Sequence, residues 1–119
     1  MKLTECYHFG KGVKINYKTA AQWFRRAAEQ GYPAAQCNLG KLFYKGKGVA
    51  QSNEEAVKWY RLAAQQGQPD ALYNLGVCYD NGYGVVQDRD EALRLFKRAA
   101  AKGHAGAAAA AGAMEAHRV

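Results

Sequence analysis

The glycine-flanked residues Lys11, Lys47 and Tyr83 are the first places in this chain to look for chemistry, because glycine-rich loops can cradle phosphate. Gly46-Lys47-Gly48 and its relatives fail that reading. They neither follow a strand nor precede the lysine–hydroxyl pair of a P-loop, and each recurs once per repeat unit, as a connector does. His8, His104 and His117 are scattered without metal-ligand spacing, so the sequence offers no zinc site and no cofactor site. Ser52 is the sole serine and sits where a helix needs an N-cap, which excludes a serine–lysine nucleophile of the penicillin-recognising kind. Cys6, Cys37 and Cys78 are odd in number and unpaired in spacing, so they do not form a disulfide framework and read as small buried residues. Cys37 would need an adjacent histidine to act as a nucleophile, and nothing in the sequence supplies one. Glu29, Asp70 and Asp90 suit solvent or capping positions better than a catalytic pair. No catalytic constellation emerges.

The elements that would have to position such residues explain the spacing instead. Glycines recur every 36 residues as Gly10, Gly46, Gly82 and as Gly40, Gly76, Gly112; Ala20, Ala56, Ala92 and Tyr7, Phe43, Tyr79 keep the same step. Each unit reads as two helices. The second helix of each unit is expected over about 17–30, 53–66 and 89–102, with Asn16, Ser52 and Asp88 as N-caps. Ser52 with Glu55, and Asp88 with Glu91, have capping-box spacing. Ala56, Trp59, Tyr60 and Ala63 then follow as an amphipathic stripe. Gly31, Gly67 and Gly103 end these helices. The first helices are expected over about 34–44, 70–80 and 106–116, with a shortened copy near 2–9. Gly40 and Gly76 lie inside helices, where glycine costs about 1 kcal/mol against alanine. Their recurrence implies a neighbour passing too close for a side chain, and Trp59 or Tyr60 can fill the space.

A unit of this size cannot bury its apolar face alone, so units must stack. The predicted fold is all-α: a right-handed α-α superhelix of about three and a half 36-residue repeats, divided 1–32, 33–68, 69–104 and 105–119. The last segment, Gly106 to Ala116, is mostly alanine and glycine and is expected to fray or to rest on another molecule.

The run Ala71-Leu72-Tyr73-Asn74-Leu75-Gly76-Val77-Cys78-Tyr79-Asp80-Asn81-Gly82-Tyr83-Gly84-Val85, followed by Asp88, Glu91-Ala92, Phe96 and Ala99-Ala100, resembles the Sel1-like repeat, as does Ala35 through Gly67. The chain departs from that pattern at Leu95, at Thr4 and in its alanine-rich end. The resemblance implies a non-catalytic adaptor related to tetratricopeptide proteins, of a kind that assembles complexes in bacterial signalling, envelope or host-interaction systems. It also implies a partner protein or peptide on the concave face lined by first helices. With Leu39 and Leu75 in the core, that face should present Cys37, Asn38, Lys41, Tyr44 and Lys45, then Tyr73, Asn74, Val77, Asp80 and Asn81, with Glu5 and His8 from the shortened copy. Tyr44 and Tyr73 are the expected anchors, since tyrosine brings contact area at low entropy cost.

Composition narrows the partners. Hydrophobic residues are 49% and charged residues 23%, a globular balance. No run of roughly 18 apolar residues exists to insert in a membrane. The opening Met1-Lys2-Leu3-Thr4-Glu5 has no signal-peptide core, and the unpaired cysteines suit the cytoplasm; an upstream signal on a longer parent chain would make it periplasmic. The net charge of +7 leaves an RNA-binding helical repeat as an alternative, but the cations Arg25, Arg26, Lys58, Arg61, Arg94, Lys97 and Arg98 are dispersed and form no basic arm. A small hydrolase is the third reading. Self-association through the ends of the solenoid is a further expectation.

Overall fold

The structure, a computed structural model, describes residues 16–116; Glu5, His8, Cys6 and the shortened helix near 2–9 lie outside the described residues. Among the described residues six helices follow one another: α1 (Tyr17–Glu29), α2 (Pro33–Lys45), α3 (Asn53–Gln65), α4 (Pro69–Asn81), α5 (Arg89–Ala101) and α6 (Ala105–Ala116). Each packs chiefly on the helix before it and the helix after it, and the array extends 50 × 26 × 26 Å. That is a one-dimensional stack, a solenoid of helix–turn–helix repeats.

The helix starts are set locally. Asn16, Ser52 and Asp88 are extended N-caps whose side-chain oxygens accept the N–H of Thr19, Glu55 and Glu91 at 3.0–3.1 Å. The reciprocal half of the capping box takes another form. The Ser52 N–H donates to the Phe43 carbonyl and the Asp88 N–H to the Tyr79 carbonyl, both at 2.9 Å. These bonds tie the start of α3 and α5 back onto α2 and α4. The first helices begin on Pro33 and Pro69, which lack the N–H that a first turn leaves unbonded. α4 and α6 also carry a side-chain cap: the Ala71 N–H donates to Gln68 Oε1 at 2.7 Å, and the Ala107 N–H to Nδ1 of His104, at the same repeat position, at 3.0 Å.

The core is one continuous cluster. Ala35, Leu39, Ala71 and Leu75 from the first helices meet Ala56, Trp59, Tyr60, Ala63, Ala92, Leu95 and Phe96 from the second. Gly40 and Gly76 sit at the tightest points. A Cβ on Gly40 would stand 2.7 Å from two ring carbons of Tyr60, and one on Gly76 would stand 2.7 Å from Phe96 Cε1. The aromatic expected to fill the glycine gap is therefore Tyr60, and Phe96 does the same one repeat later. Burial pushes the Tyr60 phenol above its ordinary pKa. Gly84 is demanded by backbone: its φ is +70° and a Cβ would fall 2.6 Å from the Asn53 carbonyl oxygen, so the loop after α4 lies directly on the start of α3.

Between repeats the seam is polar. Gln36, buried in α2, donates from Nε2 to the Ala28 carbonyl at 3.1 Å and accepts from Gln66 Nε2 at 3.0 Å. Gln66 also donates to the Gly31 carbonyl at 2.9 Å. One buried amide and its partner thus satisfy carbonyls at the end of α1 and join α3 to it. Trp23, which shares its repeat position with Trp59 and Leu95, is 42% exposed with the Arg26 guanidinium 5.5 Å over its ring.

Candidate functional site

Residues that a scaffold offers to a partner are those the fold leaves outward. On α2, helical spacing puts Asn38, Lys41 and Lys45 on one face, away from the buried Gln36, Gly40 and Phe43. On α4 the corresponding residues are Asn74, Val77 and Asn81. The two triplets stand at the same repeat positions, so stacking sets them side by side. Lys41 and Lys45 are one turn apart and have no carboxylate within ion-pair distance among the described residues. Asn81 Nδ2 donates to its own helix at the Val77 carbonyl, 2.9 Å away.

The remaining expected residues are distributed differently. Cys37 is a correction: it is 2% exposed and belongs to the core, not to the face. One residue before Asn38, it is turned about 100° around the helix toward α4, where Asn74 Nδ2 lies 3.8 Å from its sulfur. Burial is the main reason its thiol is pushed up to about 11; Asp70 adds to the rise, while Lys41 and the Asn74 bond oppose it. Cys78 is likewise buried, and burial raises its thiol to about 11. At neutral pH both are protonated and poor nucleophiles.

Tyr73 is half-buried. Its ring stacks on His104 with centroids 4.6 Å apart and tilts against Phe96 at 5.5 Å. It is engaged in holding α6 to α4. Tyr44 is at the surface, 36% exposed, with its ring 5.9 Å from that of Tyr83. Tyr83 was not among the expected residues; it occupies the middle of a glycine-flanked connector, and the repeat position alone did not bring it to Tyr44. Desolvation, then the neighbouring Tyr83, raises the Tyr44 phenol. Asp80 is paired with Arg89 at 3.1 Å, and its carbonyl accepts from Gln87 at 2.7 Å, so it fastens the loop that leads into α5.

Sequence reasoning also missed what the cations do. Arg25 lies 5.6 Å from the Phe43 ring, Arg61 donates to the Tyr79 hydroxyl at 3.2 Å, and Lys97 pairs with Glu115 at 2.9 Å. These are three equivalent pairs, each joining a second helix to the first helix of the next repeat. His104 completes a similar junction: Nδ1 accepts from Ala107, so Nε2 is the atom that carries hydrogen toward Asp70 Oδ1, 3.1 Å away. The imidazole–carboxylate pair faces a tyrosine ring and a helix start. Among the described residues no group of three His, Cys, Asp or Glu side chains is gathered as a metal site. No helix of the described residues is long and apolar enough to cross a membrane.

Comparison with known proteins matches this geometry. The Sel1 repeat family model matches residues 2–32, 33–68 and 69–104. Among solved structures, c5321, a protective antigen of uropathogenic Escherichia coli, is 38% identical with a TM-score of 0.82; the match covers 89% of this chain and 23% of that one. A Sel1 repeat protein from Oxalobacter formigenes is 38% identical, TM-score 0.78, over 79% of this chain and 27% of that one. Cysteine-rich protein B of Helicobacter pylori is 25% identical, TM-score 0.77, over 87% and 78%. The chain therefore spans about a quarter of the first two relatives. No curated protein matched. Sel1 repeat proteins generally mediate protein–protein interaction, and their scaffolds are generally non-catalytic. With three matched repeats that cover most of its length, this chain belongs to the Sel1 repeat family.

Proposed function

We propose that this chain is a non-catalytic scaffold that holds a partner protein or peptide along the outward face of its first helices, the concave side of the superhelix. The observation that carries the reading is the pair Lys41 and Lys45, which flank exposed Tyr44 and have no acidic neighbour in ion-pair reach among the described residues. Arg61, Arg89, Arg94 and Lys97 are bonded within the chain, while exposed Lys18, Arg98 and Lys102 share with Lys41 and Lys45 the lack of an ion-pair carboxylate among the described residues; only Lys41 and Lys45 stand one turn apart beside an exposed tyrosine. Two lysines left for an acidic group, an aromatic anchor and the amides of Asn38 and Asn74 suit an extended acidic peptide. The lysines supply charge, and the amides suit backbone groups. Val77 adds a small apolar contact in the middle of the face.

Capture from source-cell lysate tests this reading. The native chain is compared with Lys41→Glu/Tyr44→Ala, and with Lys58→Glu on the opposite helices as control, each checked for helicity by circular dichroism. A protein retained by the native chain and the control but lost by the double variant is expected. Equal retention by all three, or loss with Lys58→Glu alone, would remove the first-helix face from consideration.

A further inference from the structure

The connector after α4 delivers Tyr83 to the end of α2 and holds it there. The Tyr83 N–H donates to the Cys78 carbonyl at 2.9 Å, Gln87 Nε2 closes the loop on the Asp80 carbonyl at 2.7 Å, and Gly84 lies directly against the backbone of Asn53. The ring carried by this pinned loop meets Tyr44 with 5.9 Å between centroids and 48° between planes, yet the two residues stay 36% and 37% exposed. The repeat does not require an aromatic at either place. Asp80 holds the position of Tyr44 one repeat later and is paired with Arg89; Lys47 holds the position of Tyr83 one repeat earlier, with its ammonium over the Tyr17 ring. Two inclined aromatic faces at the surface are therefore particular to this junction among the described residues. Lys41 stands one turn before Tyr44 and Lys45, and neither lysine has a carboxylate in ion-pair reach among the described residues. Asn81, which takes the position of Lys45 on α4, spends its Nδ2 on the Val77 carbonyl. The donors left over are two ammoniums and the phenol hydroxyls.

We propose that the Tyr44–Tyr83 pair is the seat of a proline ring, and that the partner segment is a proline-containing acidic peptide bound in the polyproline II conformation. This rests on the scaffold reading above and narrows its ligand. Proline presents a compact apolar ring whose hydrogens next to the amide nitrogen carry partial positive charge, which suits the negative face of an aromatic ring. Polyproline II leaves its carbonyls without internal partners, and proline has no N–H to satisfy, so such a segment is rich in acceptors where this face is rich in donors. The conformation exists before binding, which keeps the ordering cost low. Carboxylates of the same segment meet Lys41 and Lys45. A cationic ligand, which exposed aromatic rings otherwise attract, is repelled by those two lysines.

The test uses the full chain and three fluorescein-labelled peptides of equal length, read by fluorescence anisotropy. One alternates glutamates with proline pairs, one replaces those prolines by alanine, and one replaces the glutamates by serine. Saturable binding of the glutamate–proline peptide is expected, with each of the other two weaker by about fivefold or more. Tyr83→Ala should weaken the glutamate–proline peptide about tenfold and leave the glutamate–alanine peptide unchanged. Circular dichroism confirms the fold of that variant, and the proline-against-alanine comparison on the native chain needs no variant. Acidic peptides that bind alike, within about twofold, with and without proline overturn the proposal; if both are then lost with Lys41→Glu, the acidic-peptide scaffold stands without it. Unaltered binding of the glutamate–proline peptide by Tyr83→Ala overturns it too. So does failure of that peptide to bind the native chain, and the lysate capture then judges the scaffold reading separately.

Discussion

Replacing Gly76 by alanine sets two effects of opposite sign against each other, and the structure decides which wins. In a helix interior alanine is better than glycine by about 1 kcal/mol. At Gly76 the new methyl carbon would stand 2.7 and 2.9 Å from two carbons of the Phe96 ring, about 1 Å inside ordinary contact. Phe96 is buried on the far side of that contact and cannot simply swing away. Overpacking of this kind costs roughly 1–3 kcal/mol, so Gly76→Ala should lose about 1 kcal/mol net. Gly112→Ala is the internal control, with the same residue type at the same repeat position and open space around it. It should gain about 1 kcal/mol. Urea unfolding followed by circular dichroism reads both, and a spread of about 2 kcal/mol between the two variants is the expected result. If Gly76→Ala stabilises the chain as much as Gly112→Ala does, the close approach of Phe96 is not what keeps glycine there, and the account of the repeat core fails. Gly76→Ala combined with Phe96→Leu should recover part of the loss.

Two further outcomes follow from the interior. Gln36→Leu removes one partner from the Ala28 carbonyl, which keeps the Gly31 N–H, and one from the Gln66 amide, which keeps the Gly31 carbonyl, and should cost about 1 kcal/mol; an unchanged urea midpoint would show that the amide contributes nothing net. Cys37 and Cys78 hold their protons to about 11 in the folded chain against an ordinary 9.0. Below pH 9.0 both states keep those protons and stability is flat in this respect; between pH 9.0 and about 11 the unfolded chain releases them first, so stability falls by up to about 1.4 kcal/mol per pH unit for each thiol. Unfolding midpoints at pH 8.5 and 10.5 check this, with a Cys78→Ala variant expected to show a shallower drop; equal drops would assign the loss to other groups.

What the sequence makes legible here is what neighbours a few residues apart determine. Asn16, Ser52 and Asp88 cap as read because an N-cap bond spans three residues and needs no tertiary contact. The pairing of Gly40 with Tyr60 is legible because two independent features, a glycine where alanine would serve better and a large residue in the next helix, recur at one period. The orientation of the first helices is harder to read. Whether Cys37 or Asn38 faces outward depends on how far one repeat turns against the next, and a polar–apolar pattern cannot resolve a 100° step when cysteine and asparagine are both small. The same limit hid the role of the cations. Arg25, Arg61 and Lys97 sit on exposed helix faces, yet each reaches a residue 18 positions onward, half a repeat away, in the next first helix. The recurrence of Phe43 and Tyr79 at that half-period is the signal that could have found two of these contacts. His104 shows a related case: as a lone histidine it reads as scattered, while its alignment with the capping Gln68 marks it as a helix start.

The most direct test of the scaffold account is hydrogen–deuterium exchange of the chain with and without the partner it captures. Added protection is predicted in the exposed halves of residues 33–45 and 69–81, centred on Lys41 and Val77. Protection confined to 17–29, 53–65 and 89–101 would place the partner on the second helices and contradict it.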